Sequence, residues 1–305
     1  MYFSICIPAY NRAHTISRTL DSLVKQTFKD FEVIVVDDGS IDDTERVVSK
    51  YNGIIDLKYI KKENGGKHTA LNKGIDYASG TFFMILDSDD WLVDDALELF
   101  HSMCEKIIDN EKYSGVLCRC INTATGKIIG DDIPKEYESL SYVDMHFILR
   151  VKGIDLGDCC ECNKTSLIKK YRFPEEPGMK FVPEAWLFDQ IGINYLLLTT
   201  NEGAEIREYL EGGITLDNQF KIKNNRGFLY HYVSRIENIL PNIKHTMKDE
   251  IIAWWRYWEC VERDKENKGQ RVKRISSLGQ MVRIGMPVIN AFYRIKYRDL
   301  YKSGR

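Results

Sequence analysis

The sequence predicts an α/β fold in which a mainly parallel, Rossmann-like sheet is flanked by helices and is followed by a mostly helical C-terminal region. Strand and helix signals alternate with short connections in the first half of the chain, which is typical of a parallel sheet with helices on both faces. Two short runs, 32–36 and 82–86, are almost entirely apolar, as central strands buried on both faces are. Residues 225–302 show mostly helical patterns.

The elements of the first half follow from local patterns. An apolar strand over 2–7 is ended by Pro8, because proline cannot donate a backbone hydrogen bond. Apolar residues then repeat at helical spacing over 14–26, and Ser40 is a suitable N-cap for a helix over 41–50. The remaining elements are the strand at 32–36, a strand at 57–61, a helix at 67–78, the strand at 82–86 and a helix at 94–109.

The second half gives weaker signals. Strands at 115–120 and 126–129 are predicted to form a hairpin or a sheet edge, and an amphipathic stretch over 184–195 precedes a short strand at 196–200. Aromatic residues of the C-terminal region are expected to pack its helices onto the preceding domain: Trp254, Trp255, Tyr257 and Trp258. We therefore divide the chain into a domain of residues 1–224, with halves at 1–110 and 111–224, and a helical region at 225–305.

Composition excludes several classes of protein. The chain has 305 residues, of which 44% are hydrophobic, so it can form one large α/β domain with an appendage or two small domains. The formal net charge of −2 gives no signal for nucleic-acid binding. No apolar run approaches the ~20 residues of a membrane span, and the first residues lack the features of a signal peptide. We therefore expect a cytoplasmic protein without a nucleic-acid partner.

The eight cysteines are expected to be reduced thiols, as in most cytoplasmic proteins. Cys118 and Cys120, together with the cysteines at 159–162, could supply four thiolates to a zinc ion. Neither group has the usual C-x-x-C spacing, and burial in the core is the alternative.

The most informative segment is the acidic end of the strand at 82–86. There the apolar run leads directly to Asp87, Ser88, Asp89 and Asp90, which places three carboxylates at the rim of the sheet. Clustered carboxylates favour a hard cation such as Mg²⁺ or Mn²⁺ shared with a diphosphate. The alternative is a solvated acidic turn that caps the next helix.

Three further loops are predicted to reach the same rim. Pro8, Ala9, Tyr10 and Asn11 could present an aromatic ring and an amide to a flat heterocycle, and Asp38, beside Asp37, could accept the imide N–H of a pyrimidine base. Gly66 and Lys67 open a helix whose N-terminus favours a phosphate. Ordinary turns and helix caps would use similar residues, so each loop alone leaves both interpretations open.

Five motifs together resemble the inverting family 2 glycosyltransferases of GT-A fold. They are P-A-Y-N at 8–11, V-V-D-D-G-S at 35–40, N-G-G-K…A-L-N-K-G at 64–74, A-S-G-T-F at 78–82 and L-D-S-D-D at 86–90. The resemblance covers about the first 100 residues, and it makes 1–110 the nucleotide-sugar half and 111–224 the acceptor half of a catalytic domain.

The resemblance implies a role for each matching residue. Ala9, Tyr10 and Asp38 would line the nucleobase pocket, Asp87 would meet the ribose, and Asp89 would coordinate Mn²⁺ or Mg²⁺. The other donor-binding residues expected from the motifs are Pro8, Asn11, Asp37, Gly66, Lys67, Asn72 and Ser88. Inverting transfer also needs a base for the acceptor hydroxyl. Glu184 is the candidate, although Glu184-Ala185 departs from the family's usual E-D, and a first-turn glutamate of a helix is the alternative. Asp158 is the second catalytic candidate.

The expected activity is that of a glycosyltransferase of the hexosyltransferase type (EC 2.4). The donor is expected to be a UDP-sugar and the acceptor a glycan or a lipid-linked molecule, in bacterial surface polysaccharide synthesis. A non-catalytic scaffold subunit that binds a nucleotide sugar is one alternative. A nucleotidyltransferase is another, but its phosphate loop would more usually be Gly-rich, with Arg or Lys, directly after the first strand.

The C-terminal tail is strongly basic. Residues 271–305 contain nine Lys/Arg and one acid, a balance of +8, alongside many apolar residues. Such a segment can lie on an anionic membrane surface, which would place the protein at the cytoplasmic face of a membrane. A helix packed on the domain and a contact within a homo-oligomer are the alternatives.

Overall fold

The computed structural model describes the backbone of residues 1–208, 219–266 and 268–296, and the side chains of the same ranges up to residue 291. The chain is grouped into two compact units, Met1–Phe220 and Lys221–Arg305. The sequence predicted a division after residue 224, and the boundary between the two units lies after Phe220.

The elements alternate in the first unit and are helical in the second. The strands are β1 Phe3–Ala9, β2 Phe31–Asp37, β3 Leu57–Lys61, β4 Phe82–Ile85, β5 Trp91–Leu92, β6 Tyr113–Asn122, β7 Ser139–Leu140, β8 Cys159–Lys164 and β9 Leu196–Arg207. The helices are α1 Ile16–Lys25, α2 Thr44–Val48, α3 Lys67–Tyr77, α4 Ala96–Cys104, α5 Thr165–Ile168, α6 Ala185–Gly192, α7 Phe220–Lys223, α8 Asn225–Ser234, α9 Met247–Arg263 and α10 Ser277–Lys296. Short π-helical segments cover Asp144–Leu149 and Arg235–Ile239.

Within the described residues, the nine strands form one sheet in the order β3-β2-β1-β4-β8-β6-β9-β5, with β7 paired to β9. The first four strands are parallel. β8 is antiparallel to both β4 and β6, while β6 and β9 are parallel. The predicted α/β class with flanking helices is confirmed, but the sheet is purely parallel only across β3, β2, β1 and β4 and is mixed beyond them.

Burial explains why the apolar runs occupy the centre of the sheet. Every residue of β1 and of β2 is buried, so neither strand shows the alternation of a half-exposed strand. Register then aligns the strand ends, because Ala9 pairs with Asp37 and Cys6 pairs with Ile85. The loops that follow β1, β2 and β4 therefore leave the sheet at one edge.

Pro8 lies inside β1, so the prediction that it ends the strand is wrong. The carbonyls of Tyr2 and Cys6 accept the backbone N–H groups of Phe82 and Leu86. The backbone polar groups of the even-numbered β1 residues therefore point toward β4. Pairing with β4 stops at Cys6, so the N–H that Pro8 lacks would have had no strand partner.

Ser40 does not cap the following helix, contrary to prediction. Its hydroxyl accepts the backbone N–H of Asn11 and its own N–H is donated to Asp37, so its polar groups are used in the loop. Helix α2 starts only at Thr44, after Asp43, and is shorter than the predicted range of 41–50.

Two predictions for the second half also need correction. The segment at 126–129 contributes a single bridge, Ile121 to Ile128, and no strand, while β9 extends to Arg207 rather than ending at residue 200. The aromatic residues of α9 pack within their own unit. Trp254, Trp255 and Trp258 form the core of the second unit, together with residues of α8 and α10.

The cysteines are free, and most of them are buried in the first unit's core. Cys104 and Cys162 lie 3.4 Å apart (Sγ–Sγ), and burial raises the pKa of both Cys118 and Cys160 well above that of an ordinary thiol. No group of three or more metal-binding side chains exists among the described residues, so the suggested zinc site is not formed there. Core packing explains these thiols.

Glu32 is a fully buried carboxylate inside β2 that ties three elements together. It accepts hydrogen bonds from Ser4 of β1 (2.6 Å), from the backbone and hydroxyl of Ser79 (both 2.7 Å), and from Lys58 of β3 (2.6 Å). Burial opposes the negative charge, but Lys58, Ser4 and Ser79 outweigh it and lower the pKa of Glu32 to about 2 from 4.5. The ionised form therefore stabilises the folded sheet.

We predict that Glu32→Gln lowers the free energy of unfolding at pH 7 by about 3 kcal/mol, the value of a shift of this size. The folded pKa lies below the unfolded one, so the contribution of Glu32 is complete above pH 4.5 and is lost as the pH falls toward 2. Urea unfolding of wild type and Glu32→Gln between pH 7 and pH 3 tests this, because their free energies of unfolding should become more similar as the pH falls. Glu45→Gln, at an exposed carboxylate paired with Lys61, is the matched control. A difference between wild type and Glu32→Gln that stays constant at low pH would contradict the assignment.

Candidate active site

The loop after β2 is organised by two buried carboxylates. Asp37 accepts the backbone N–H of Ser40 (2.6 Å) and the hydroxyl of Tyr59, so it fixes the turn itself. Asp38 accepts the backbone N–H groups of Gly65 (2.9 Å) and Gly66 (2.7 Å) and pairs with Lys62 (2.7 Å). Asp38 therefore shapes the loop that leads into α3.

The loop after β1 presents one aromatic ring to solvent. Pro8 and Ala9 are buried in the strand, whereas Tyr10 is about half exposed (47%). Asn11 has a left-handed backbone (φ 53°), donates its backbone N–H to Ser40 (2.8 Å), and accepts the N–H of Ile41 (3.0 Å) with its side-chain oxygen. Asn11 thus joins the two loops, and Tyr10 is the side chain of the 8–11 segment that is available to a ligand.

Gly66 cannot be replaced without moving the chain. Its φ is +97°, and a Cβ at this position would lie 1.9 Å from the carbonyl oxygen of Lys180. The close approach brings the start of α3 against the segment that precedes Glu184. Lys67 is the first residue of α3, so this contact positions its side chain near the segment that precedes Glu184.

Asn72, predicted to bind the donor, lies on α3 and is fully occupied within the protein. Its amide donates to the carbonyl of Phe173 (2.9 Å) and to Glu175 (2.6 Å), and it accepts the N–H of Phe173 (3.0 Å). This arrangement favours a role in holding the 173–175 segment against α3 over direct contact with a nucleotide.

The acidic residues after β4 differ in their surroundings. Asp87 forms an ion pair with Lys67 at 2.5 Å, and Ser88 is buried. Asp89 is partly exposed, and its carboxylate lies 3.6 Å from the guanidinium of Arg12, while Arg18 donates to its backbone carbonyl (2.9 Å). The Asp89 side chain is about as exposed as that of Asp87, but its ion pair is longer, at 3.6 Å against 2.5 Å, so its carboxylate is held less tightly.

Asp90 belongs to a buried charge cluster that the sequence did not reveal. Arg207, the last residue of β9, pairs with Glu205 (2.6 Å), Asp90 (3.5 Å) and Asp158 (3.6 Å). Burial, and then the neighbouring Glu205, raise the pKa of Asp90 to about 8, although Arg207 acts in the opposite direction. Charges at alternate positions of a buried strand, Glu205-Ile206-Arg207, are the signal that could have identified the cluster.

Lys67 connects the acidic rim to the predicted base. Its ammonium group lies 2.5 Å from Asp87 and 2.8 Å from Glu184, the residue that precedes α6. Burial alone would lower the pKa of Lys67, but the two carboxylates outweigh it and raise that pKa above its ordinary value. Two candidates more than 90 residues apart in sequence are therefore held by one cation.

A cavity of about 210 Å³ lies beside this ion pair. Its walls include both predicted catalytic residues, Glu184 and Asp158, together with Asp87. Two residues that sequence reasoning did not select, Glu161 of β8 and His146, also line it. Burial, and then the charge of Glu184, raise the pKa of Glu161 to about 8, so this side chain holds a proton at neutral pH.

The acidic rim can hold a divalent cation only if a bound diphosphate supplies some of the ligands. Among the described residues no group of three or more ligating side chains is arranged around a point, so the protein alone does not complete a coordination shell there. Asp89 offers a hard, partly exposed oxygen donor beside Asp87, which suits Mg²⁺ or Mn²⁺ when a diphosphate supplies further oxygens.

Comparison with known proteins shows the family to which the chain is similar. Residues 4–166 match the family described as "Glycosyl transferase family 2". A curated relative, GalNAc(5)-diNAcBac-PP-undecaprenol beta-1,3-glucosyltransferase of Campylobacter jejuni, is 34% identical over 176 residues, which cover 57% of this chain and 55% of that protein. The chain therefore spans about half the length of this relative.

Two solved structures share the fold. The first is Staphylococcus aureus TarS 1–349 in complex with UDP-GlcNAc, with a TM-score of 0.61 and 20% identity over 94% of this chain and 79% of that one. The second is the mannosyltransferase PcManGT of Pyrobaculum calidifontis in complex with GDP-Man and Mn²⁺, with a TM-score of 0.58 and 18% identity over 98% and 82% of the two chains. At these identities the likeness shows the fold, and it agrees with the predicted GT-A fold.

Proposed function

This chain belongs to glycosyl transferase family 2, and we propose that it moves a sugar from a UDP-sugar, with inversion, to a hydroxyl group of a glycan or lipid-linked acceptor in bacterial surface polysaccharide synthesis. The observation that carries the proposal is the ion-pair bridge of Lys67. It joins the donor-side carboxylate Asp87 to Glu184 at the mouth of one cavity.

The donor side of the proposal rests on the loops after β1, β2 and β4. Tyr10 offers an exposed ring, Asp38 is buried and orders the Gly65–Gly66 turn through its carboxylate, and Asp87 lies after β4 beside Lys67. The proposal places the nucleobase beside Tyr10 and Asp38, the ribose at Asp87 and the diphosphate at the neighbouring Asp89. The complex of TarS with UDP-GlcNAc supports a UDP-sugar as the donor.

Asp89, beside Asp87, would hold a divalent cation on the diphosphate. Such a cation supplies Lewis acidity, which stabilises charge on the departing diphosphate. The presence of Mn²⁺ in the PcManGT complex supports the choice of metal. Lys67 adds a fixed positive charge on the same side of the cavity, because its two carboxylate partners keep it protonated.

Glu184 is the proposed base. It lines the cavity from the acceptor half, and its carboxylate lies across Lys67 from Asp87, so it faces the donor side. A base that removes the acceptor proton on the side opposite the leaving group gives inversion. The acceptor assignment draws on the undecaprenol-linked substrate in the name of the Campylobacter relative.

We predict that Asp89→Asn abolishes sugar transfer and the Mn²⁺-dependent part of UDP binding without unfolding the protein, because the amide lacks the charge that holds the cation. Hydrolysis of UDP-sugars and UDP titrations with and without EDTA measure both effects. Asp94→Asn, outside the rim, is the control. Full activity in EDTA would remove the metal from the mechanism, and the absence of UDP-sugar turnover by the wild-type chain would favour a scaffold.

We predict that Glu184→Gln lowers kcat for transfer by about 10²-fold or more while UDP affinity stays nearly unchanged, since the base acts on the acceptor. Steady-state transfer assays and UDP titrations test the two parts separately. The shared ion pair with Lys67 makes a fold check by thermal unfolding necessary. An equal loss of UDP binding would assign Glu184 to structure, and near-normal turnover would favour Asp158 as the base.

We also propose that the second unit docks on anionic membrane surfaces through α10. Three apolar side chains of this helix, Met281, Ile284 and Val288, are 61–81% exposed, whereas Val282 and Met286 face the unit's core. The exposed side chains recur at positions i, i+3 and i+7, so they form one stripe. Among the described residues no helix is long and apolar enough to cross a membrane.

Exposed basic residues lie in the same part of the sequence as the apolar stripe. Lys273, Arg274 and Arg283 are exposed, and residues 268–291 contain no acid. Each basic residue near an anionic surface contributes about 1 kcal/mol. The side chains at 294 and 296, and residues 298, 302 and 305, which completed the predicted basic tail, lie outside the described part of the structure.

We predict that the full chain co-sediments with vesicles containing anionic lipid at low salt and less at high salt, because the attraction is partly electrostatic. Replacing Met281, Ile284 and Val288 with serine should remove binding while the core face of α10 stays intact. Ile222→Ser and Met247→Ser, at other exposed apolar positions of the second unit, serve as controls. Binding that persists in the triple variant, or that is absent at low salt, would defeat the membrane proposal.

A further inference from the structure

A histidine–carboxylate pair lies at the cavity of the first unit, where His146 is one of the lining residues. His146 Nδ1 and an Asp189 carboxylate oxygen are 2.5 Å apart. Asp189 is buried within α6, whereas the side chain of His146 is about one quarter exposed (24%). The pair therefore has a buried carboxylate end and an accessible imidazole end.

The carboxylate fixes the chemistry of the ring. When Nδ1–H donates to Asp189, the neutral imidazole keeps Nε2, on the opposite side of the ring, as a hydrogen-bond acceptor. His146 lines the cavity, so the exposed edge of its ring faces the space that Glu184 and Asp87 also line. A sugar hydroxyl is a suitable partner for such a nitrogen.

The local backbone supports a functional placement. His146 lies in the π-helical segment Asp144–Leu149, and single π-helical turns occur frequently at functional sites. The adjacent wall is an aromatic pair, Tyr142 and Phe188, whose rings stack at 4.7 Å with an interplanar angle of 12°. Tyr142 and Phe188 give the cavity an apolar side of the kind that packs against the face of a sugar ring.

We propose that His146, oriented by Asp189, hydrogen-bonds a hydroxyl group of the acceptor sugar other than the one that reacts. The inference rests on the proposed function and extends it. An acceptor must enter the cavity in order to reach Glu184, and His146 lines that same cavity from the second half of the unit. Glu161 lines the same cavity, so it offers a second polar group to the same sugar.

The test compares acceptor and donor kinetics in the full chain. The acceptor probes are p-nitrophenyl glycosides of glucose, galactose and N-acetylglucosamine, and the donors are the corresponding UDP-sugars. His146→Leu should raise the acceptor KM about tenfold, the effect of one hydrogen bond, with little change in kcat at saturation. Asp189→Asn should have a smaller effect of the same kind because it changes the tautomer of the ring, and His146→Gln should recover part of the loss.

Donor-only measurements separate this inference from the alternatives. Acceptor-independent hydrolysis of the UDP-sugar and the affinity for UDP should stay within about twofold of wild type in all three variants. His245→Leu, at a histidine 3.9 Å from Glu250 in the second unit, is the matched control. An unchanged acceptor KM would make the pair structural. Weaker binding of the UDP-sugar with unchanged binding of UDP would assign the cavity to the donor's sugar, and either outcome overturns the inference.

A binding measurement keeps the inference testable if no probe is turned over. NMR spectra of histidine-labelled protein, titrated with the same glycosides, should show shifts of the His146 ring signals, which are identified by their loss in His146→Leu. Absence of a shift at saturating glycoside would overturn the inference even in an active enzyme. Absence of UDP-sugar turnover by the wild type would instead overturn the proposed function, and the NMR result would still decide the role of His146.

Discussion

The site depends on the placement of one half-buried cation, Lys67, between two carboxylates from different halves of the domain. Asp87 comes from the end of β4 and Glu184 from the start of α6, and both lie within 3 Å of the ammonium group. Without that cation, two carboxylates would face each other across a partly desolvated cavity, which is unfavourable for both. The position of Lys67 in turn requires Gly66, because no other residue fits the approach of α3 to Lys180.

A second cation, Arg207 at the end of β9, plays a similar part. Arg207 neutralises Glu205 and reaches both Asp90 and Asp158, so it joins the acidic segment after β4 to the last strand of the sheet. Burial within the cluster raises the pKa of Asp90, whereas Asp89 is more exposed than Asp90 and pairs with Arg12. Acidic neighbours in sequence thus acquire different roles, with Asp90 inside the fold and Asp89 available to a cation.

The mixed topology explains how residues from both halves of the first unit come to line one cavity. The parallel strands β1, β2 and β4 send their loops to one edge, where the nucleotide is expected. The antiparallel strand β8 then runs back beside β4 and brings Glu161 beneath that edge, and its preceding loop brings Asp158. The π-helical segment with His146 and the start of α6 close the opposite side.

The sequence by itself determined the first 100 residues well, including the buried strands, the helix opened by Lys67 and the acidic rim, because apolar runs and local motifs specify such features directly. It also selected Glu184 and Asp158, on a family resemblance and not on contacts. Only the tertiary structure decided which charges pair. Glu161 and the His146–Asp189 pair carry no local signature, because their environment comes from strands and helices distant in the chain. Arg207 had only the alternating charges of Glu205-Ile206-Arg207, which do not reveal that Asp90 and Asp158 are its partners. Pro8 and Ser40 were misjudged for the same reason: whether a proline ends a strand or a serine caps a helix depends on where the neighbouring strand stops and on which loop competes for the hydroxyl.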